Sequence, residues 1–230
     1  MKVFVCIISV FEHMMRVIND LKDNGLMAGV VTAEGVSVKD SPVALTRKLE
    51  ELVRERAMQE FPPKFQKDCI RNLLRRGGFK PTGRNKPASE YLVSATSEAR
   101  FPRINNLVDI NNYISLLSGL PASILDLNVT GRQIELRTGK PGETYVFNAS
   151  GQVIDLKGLL CVCRRKGAPL GNPVKDSMEG KVIESTSGVI LVIYSSTECV
   201  SRENLEGFCE LAASMLEKYA QAGSTETIIA

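Results

Sequence analysis

Residues 103–112 hold four asparagines, Asn105, Asn106, Asn111 and Asn112, arranged around Asp109. Asn and Asp side chains compete with the backbone for hydrogen bonds and form helices poorly, and an exposed helical face is more cheaply made of Lys, Glu and Gln. Short amides around a carboxylate therefore suit bonds to fixed partners, either as support for a helix cap or as the wall of a ligand pocket. A second set runs from Arg164 and Arg165 through a loop rich in Gly and Pro to Lys175, Asp176 and Ser177, and then to Thr186. Asp176 and Ser177 can hold a ligand's hydroxyl or amine, or close an Asx-turn after the loop. The third set is electrostatic. Residues 47–86 carry twelve Lys or Arg against five Asp or Glu, and residues 69–89 contain six basic side chains (Arg71, Arg75, Arg76, Lys80, Arg84, Lys86) and no acid. That field attracts phosphates, or it is a solvated basic face.

What is missing narrows the chemistry. The sequence has no P-loop, no GxGxxG, no HExxH and no GxSxG, which removes the common nucleotide, zinc-protease and serine-hydrolase sites. His13 is the one histidine, in a predicted short N-terminal helix, where a core or surface role outweighs catalysis. Any hydrolysis must orient water with carboxylates, amides and backbone groups, or use the substrate's own hydroxyl. The six cysteines lack a CxxC pair, so free thiols in a reducing compartment are expected, with no metal site and no cofactor. Cys161 and Cys163 share a strand face without further ligands near them in sequence.

The elements that must position these groups follow from length and periodicity. A chain of 230 residues is near the upper size of one domain and buries roughly 70 to 75% of its extended surface, so no staple is needed. Hydrophobic residues at 43% and charged residues at 24% describe a soluble globule, with no run long enough to cross a membrane. The expected location is cytoplasmic. Residues 3–10 read as a buried first strand, since no small-residue cleavage site follows the apolar run. Residues 12–22 read as a helix ended by Gly25, and residues 26–32 as a strand. A helix with Leu45, Leu49, Leu52 and Val53 inward opens at Ser41 and Pro42. A basic helix with Phe65, Cys69 and Leu73 spaced by four stops at Gly77 and Gly78.

Leu107, Ile110, Ile114 and Leu117 predict a helix capped near Asn105 and ending at Gly119, with Asn105, Asp109 and Asn112 on the face opposite that stripe. Beyond it, segments 133–137, 145–148, 153–156 and 159–163 read as short strands, and 189–194 as a strand buried on both faces. A hairpin connection is expected between Arg137 and Glu143. The C-terminal helix, residues 202–220, turns Leu205, Phe208, Cys209, Ala212, Met215, Leu216 and Tyr219 inward, and the tail after Gly223 reads as loose. The expected class is α+β, a single mixed domain over residues 1–230. It comprises N-terminal strands and helices (1–80), a sheet-rich core (85–195) and the closing helix.

The run Pro102-Arg103-Ile104-Asn105-Asn106-Leu107-Val108-Asp109-Ile110-Asn111-Asn112-Tyr113, then Gly119-Leu120-Pro121 and Leu125-Asp126-Leu127, resembles the B3/B4 tRNA-editing domain of the phenylalanyl-tRNA synthetase β subunit. Glu135-Leu136-Arg137, Gly142-Glu143 and Thr186-Ser187-Gly188-Val189 follow in that family's order. Pro87-Ala88-Ser89-Glu90 and Asp176-Ser177 are similar to segments of its free-standing relatives. The resemblance implies a mixed α and β domain that binds RNA or aminoacyl-tRNA and hydrolyses mischarged ester in trans, without aminoacylation, and with no DNA or membrane partner. Arg103, Asn105, Asn106 and Asp109 would form one wall of the pocket, and Ser123, Asp176 and Ser177 another. Arg71, Arg75, Arg76, Lys80 and Arg84 would hold the RNA backbone. An alternative class is a non-catalytic module for an amino acid, a metabolite or a protein partner. Two positions depart from the family pattern: Ser123 stands where its motif has histidine, and Val192 near where it has the glutamate that selects tyrosine.

Overall fold

The computed structural model describes residues 14–230; the strand expected at 3–10, together with His13, lies outside them. Among the described residues the chain is α+β. Two four-stranded sheets lie face to face, with helices on the outer face of one. Arg16–Asn19 forms β1, so the helix expected over 12–22 is absent from residue 16 onward. Val17 and Ile18 are β-branched and suit a strand, and β1 pairs in parallel with β4 (Gln133–Thr138), Val17 opposite Ile134.

β2 (Leu26–Glu34) is buried along nearly its whole length. After it come α1 (Val43–Ala57), α2 (Lys64–Arg75), α3 (Ala88–Ser97) and α4 (Asn106–Ser118). Next are β3 (Ala122–Asp126), the short α5 (Leu127–Thr130), and the strands β4, β5 (Thr144–Val146), β6 (Val153–Asp155), β7 (Leu160–Arg164) and β8 (Pro169–Gly171). The chain closes with β9 (Gly188–Ser196), α6 (Arg202–Ala220) and β10 (Ser224–Ile229). No helix of the described residues is long and apolar enough to cross a membrane.

The first sheet has the order β1-β4-β7-β8, and the second β10-β2-β9-β3. Leu26, Ala28 and Val30 of β2 and Ile190, Val192 and Tyr194 of β9 meet Ile134, Leu136 and Val162 of the first sheet in one apolar cluster. The alternate residues Met27, Val31, Leu191 and Ile193 face a second cluster with Ile70, Leu107, Ile110, Ile114, Leu205 and Leu216 from the helices. β9 therefore lies between two cores, and all nine of its residues are buried, which is why its sequence is continuously apolar.

The tail after Gly223 is an ordered edge strand rather than a loose end: β10 runs antiparallel to β2 with Thr227 opposite Val31. The short polar residues that make 224–227 look disordered suit an edge strand with one wet face.

One backbone crossing fixes the end of α2 against the first sheet. A Cβ on Gly77 would stand 2.1 Å from the carbonyl oxygen of Gly158, and one on Gly158 would stand 2.3 Å from that of Gly77. Gly77→Ala is therefore expected to force the two chains apart and lower stability by about 3 kcal/mol, read as a fall in the urea midpoint at unchanged m-value.

Candidate functional site

α4 rests on the second sheet through Leu107, Ile110 and Ile114, so Val108, Asn111 and Asn112, spaced by three and four residues, form a different stripe along it. The Asn105 side chain accepts a hydrogen bond from the Val108 amide at 2.9 Å and caps the helix; Gly119, at φ 72°, ends it. The stripe borders a cavity of about 460 Å³. Ala88, Tyr91 and Leu92 of α3, Pro102, Ile104 and Asn105 before α4, Ala122 and Ile124 of β3, and Asn172, Val174, Lys175, Asp176, Lys181 and Val182 complete its lining; Ser177 does not belong to it. Most of that lining is apolar. Its polar groups are amides, the Asp176 carboxylate and the ammonium groups of Lys175 and Lys181.

β3 is the free edge of its sheet, and its backbone is oriented by pairing parity. Tyr194 donates its amide to Pro121 and Asp126 donates to Gly180. The alternation of an antiparallel ladder then turns the Ile124 N–H and C=O away from β9. Asn111 donates its amide nitrogen to the Ala122 carbonyl at 3.4 Å. Its Oδ1 is buried without a partner among the described residues, and an unsatisfied buried acceptor costs about 1–3 kcal/mol.

The opposite side is a hydrogen-bonded chain behind Asp176. Ser123 donates its hydroxyl to Asp176 Oδ1 at 2.6 Å and lies 2.9 Å from the Tyr194 hydroxyl; the Asn172 amide donates to the same carboxylate oxygen at 3.1 Å. Asn172 Oδ1 accepts from the amides of Val174 and Lys175, each at 2.8 Å, and its side-chain nitrogen donates to the Tyr145 hydroxyl. A Cβ on Gly171 would stand 2.8 Å from Asp176 Oδ1, so this position leaves the carboxyl room. Burial pushes the Asp176 carboxyl up to about 7, against the opposing pull of Ser123, the Asn172 amide and Lys181. Near neutral pH it can both accept and release a proton. Burial also raises the Tyr145 and Tyr194 phenols, which stay neutral. The Lys175 ammonium stands 4.2 Å over the Phe147 ring. Burial, followed by the charge of Arg84, lowers its pKa.

The two sequence clusters do converge, but through fewer of the expected residues. Asn105 and Asp176 line the cavity, and Ser123 stands behind Asp176 as its hydroxyl donor. Arg103, Asn106 and Asp109 are not in the lining, which corrects the expected first wall. Asn106 donates to the carbonyls of Ser37 (2.8 Å) and Tyr219 (3.0 Å) and accepts from the Lys39 amide at 3.0 Å. Asp109, 1% exposed, accepts from Ser41 Oγ (2.7 Å), Arg103 Nε (3.0 Å) and the Ile104 amide (3.2 Å). Arg103 donates in addition to Thr46. These residues tie α4 to α1 and to the loop that precedes it. Ser177 is buried and accepts from the Gly180 amide at 3.0 Å, closing a turn beside the cavity.

Asn111, Asn112 and Lys175, members of the two sequence clusters that were not assigned to the pocket walls, enter the site, together with Asn172 and Lys181, which were not singled out as site residues. The spacing of Asn111 from Val108 carried a signal; for the loop residues only the tertiary path brings them in. In the basic segment, Arg71 forms a two-pronged bond to Glu90 at 2.7 and 2.6 Å, joining α2 to α3. Arg75 donates to Asn72, and Arg76 to Asn24 and Glu198. Lys80 and Arg84 are exposed.

A model of the B3/4 domain family matches residues 78–221. The phenylalanine–tRNA ligase beta subunit of Anaeromyxobacter dehalogenans (strain 2CP-C) is 28% identical over 107 residues, which is 46% of this chain and 13% of that relative. The chain thus spans about an eighth of the curated relative's length. A crystal structure of an N-terminal fragment of the phenylalanyl-tRNA synthetase beta subunit from Pyrococcus horikoshii aligns with a TM-score of 0.46 at 10% identity. That alignment covers 94% of this chain and 50% of that one.

Proposed function

The chain belongs to the B3/4 domain family, and from that premise we propose that its cavity binds the aminoacylated 3′ end of a tRNA and hydrolyses the ester in trans. One observation carries the reading: an apolar hollow of about 460 Å³ that opens between amides on one side and a proton-exchanging carboxylate on the other. Leu92, Val108, Ile124 and Val174 suit the apolar part of an amino-acid side chain. Asn105 and Asn112 offer bonds to its amine or carbonyl. Asp176, held by Ser123, takes a proton from water as the water adds to the ester carbonyl. The C–O bond to the ribose then breaks, and the ribose oxygen leaves with a proton returned by Asp176 or by its neighbouring hydroxyl. No histidine is needed, because an aminoacyl ester is already activated and positioning supplies much of the rate.

The working unit extends beyond the matched segment. β2 and β10, outside residues 78–221, share a sheet with β3 and β9 inside them, so we treat residues 14–230 as one domain. Lys80, Arg84 and the exposed Arg75 are the basic residues left to meet an RNA backbone, with Arg71 and Arg76 tied in internal bonds. A binding module without turnover is the second reading, favoured by Val192. It pairs with Ser123 and is fully buried in the core between the sheets, near where the resemblance expects a glutamate.

The deciding measurement is release of labelled amino acid from a panel of mischarged tRNAs at pH 7.5. Acceleration of at least about 100-fold for one pair is the expected result. Binding without acceleration for every pair overturns hydrolysis and favours the module, and binding of none overturns the tRNA reading.

A further inference from the structure

We propose that a second, smaller hollow beside the cavity is a phosphate subsite that takes the 5′-phosphate of the nucleotide whose ester lies in the cavity. The inference rests on the reading above and adds the group that anchors the substrate. The hollow holds about 300 Å³ and shares Ala88, Tyr91, Val174 and Lys175 with the main cavity. A ligand can therefore occupy both at once.

Its charge is of one sign. Arg84, Lys86 and Lys175 line it, and no carboxylate does. Lys86 donates to the neutral Ser94 hydroxyl at 3.0 Å, Lys175 sits over an aromatic ring, and Arg84 is exposed. The acids close to these cations are engaged elsewhere: Glu90 is held by the fork of Arg71, Glu98, whose charge reaches Lys86, pairs with Arg100, and Asp176, next to Lys175 in sequence, faces the main cavity with its Oδ1 held by Ser123 and the Asn172 amide. Three cations line one concavity with no acid in its walls, which leaves a local positive field. Arg84 and Lys175 are close enough for the charge of one to disfavour that of the other, and an oxyanion between them relieves that repulsion.

The hollow also touches the start of α3, where Pro87 provides no side-chain cap. The positive end of that helix adds to the same field. Tyr91, 45% exposed, stands at the join of the two hollows, where a ribose or base would pass between them. A carboxylate would meet the same cations. The proposal commits to phosphate because a nucleotide carries it at the distance set by one ribose from the ester.

The test uses 3′-alanylamino-3′-deoxyadenosine, which resists hydrolysis, with and without a 5′-phosphate. Calorimetric titration is done at low salt on the wild-type chain and on the double variant Arg84→Ala/Lys86→Ala, whose two side chains line the smaller hollow and not the main cavity. The phosphorylated compound is expected to bind at least about tenfold more tightly to wild type. The double variant is expected to lose that advantage while binding the unphosphorylated compound as wild type does. Inorganic phosphate should compete with the phosphorylated compound alone, which separates a nucleotide subsite from a free-phosphate site that competes with neither. Equal affinities of the two compounds, or an advantage that survives the double substitution, overturn the subsite and leave the cavity reading standing. Failure of both compounds to bind overturns the two together.

Discussion

Asp176→Asn is expected to lower deacylation by about 10²–10⁴-fold while making the protein more stable at pH 8. The two effects share a cause. Burial holds the folded-state carboxyl at about 7, above its ordinary value near 3.9, so the folded state favours the protonated form. The contribution of this group to stability is then greatest below about pH 4, falls as pH rises toward 7, and stays reduced above it. Asparagine keeps an Oδ1 that accepts from Ser123 and from the Asn172 amide but carries no charge to bury. The expected gain is on the order of 2 kcal/mol at pH 8, a rise in Tm of several degrees, and close to nothing at pH 4. Wild-type turnover should rise with pH through an apparent pKa about 7, with the variant flat across that range. Thermal melts at pH 4 and 8, beside rate profiles, check both. A variant no more stable at pH 8 than wild type would remove the strained carboxylate on which the mechanism depends.

Asp109→Ala is expected to act on the fold instead. Its carboxylate is buried and receives the Ser41 hydroxyl, the Arg103 guanidinium and the Ile104 amide. Removing the acceptor leaves three donors without it, and the Arg103 charge without its closest carboxylate. Breaking such a pair costs about 3–5 kcal/mol; Arg103 is partly exposed, which favours the lower end. Urea unfolding should show the loss. Asp109→Asn, which retains an acceptor, should recover part of it. If Asp109 instead lined the ligand site, the Ala variant would keep its urea midpoint and lose binding alone.

The difference between those two aspartates shows how far sequence reasoning reached. The helix around Asp109 was legible, because Leu107, Ile110 and Ile114 repeat at helical spacing and Asn105 is a strong cap. Its amides and carboxylate were equally legible as groups needing partners. Which partners they find was not: Asn106 reaches Ser37 and Tyr219, far away in the chain, and no local pattern encodes that path. Asp176 gave a weaker local signal, an Asp-Ser after a loop, yet it reaches the cavity because β3 offers Ser123 from the layer between the sheets.

β1 and β3 escaped the sequence for a related reason, whereas β2, β4, β5, β6, β7 and β9 stand close to where periodicity placed them. Val17 and Ile18 could serve a helix or a strand, and only pairing with β4 selects the strand. β3 is five buried residues, too few for periodicity to register. β9 was readable throughout, because burial on both faces leaves nothing but apolar choices.

The stretch from Asn172 to Val182 runs along the edge of β3 that no strand of its sheet pairs, secured mainly by contacts of Asn172, Asp176 and Ser177 to nearby backbone and side chains rather than by a ladder of its own. A wall built in this way can be rewritten with little disturbance to either core. Lys175 and Lys181 are therefore the natural targets for library selection toward altered substrates, with Val174 and Val182, which pack on the two cores, and the asparagine, aspartate and serine anchors held constant as the hinge points of a graft.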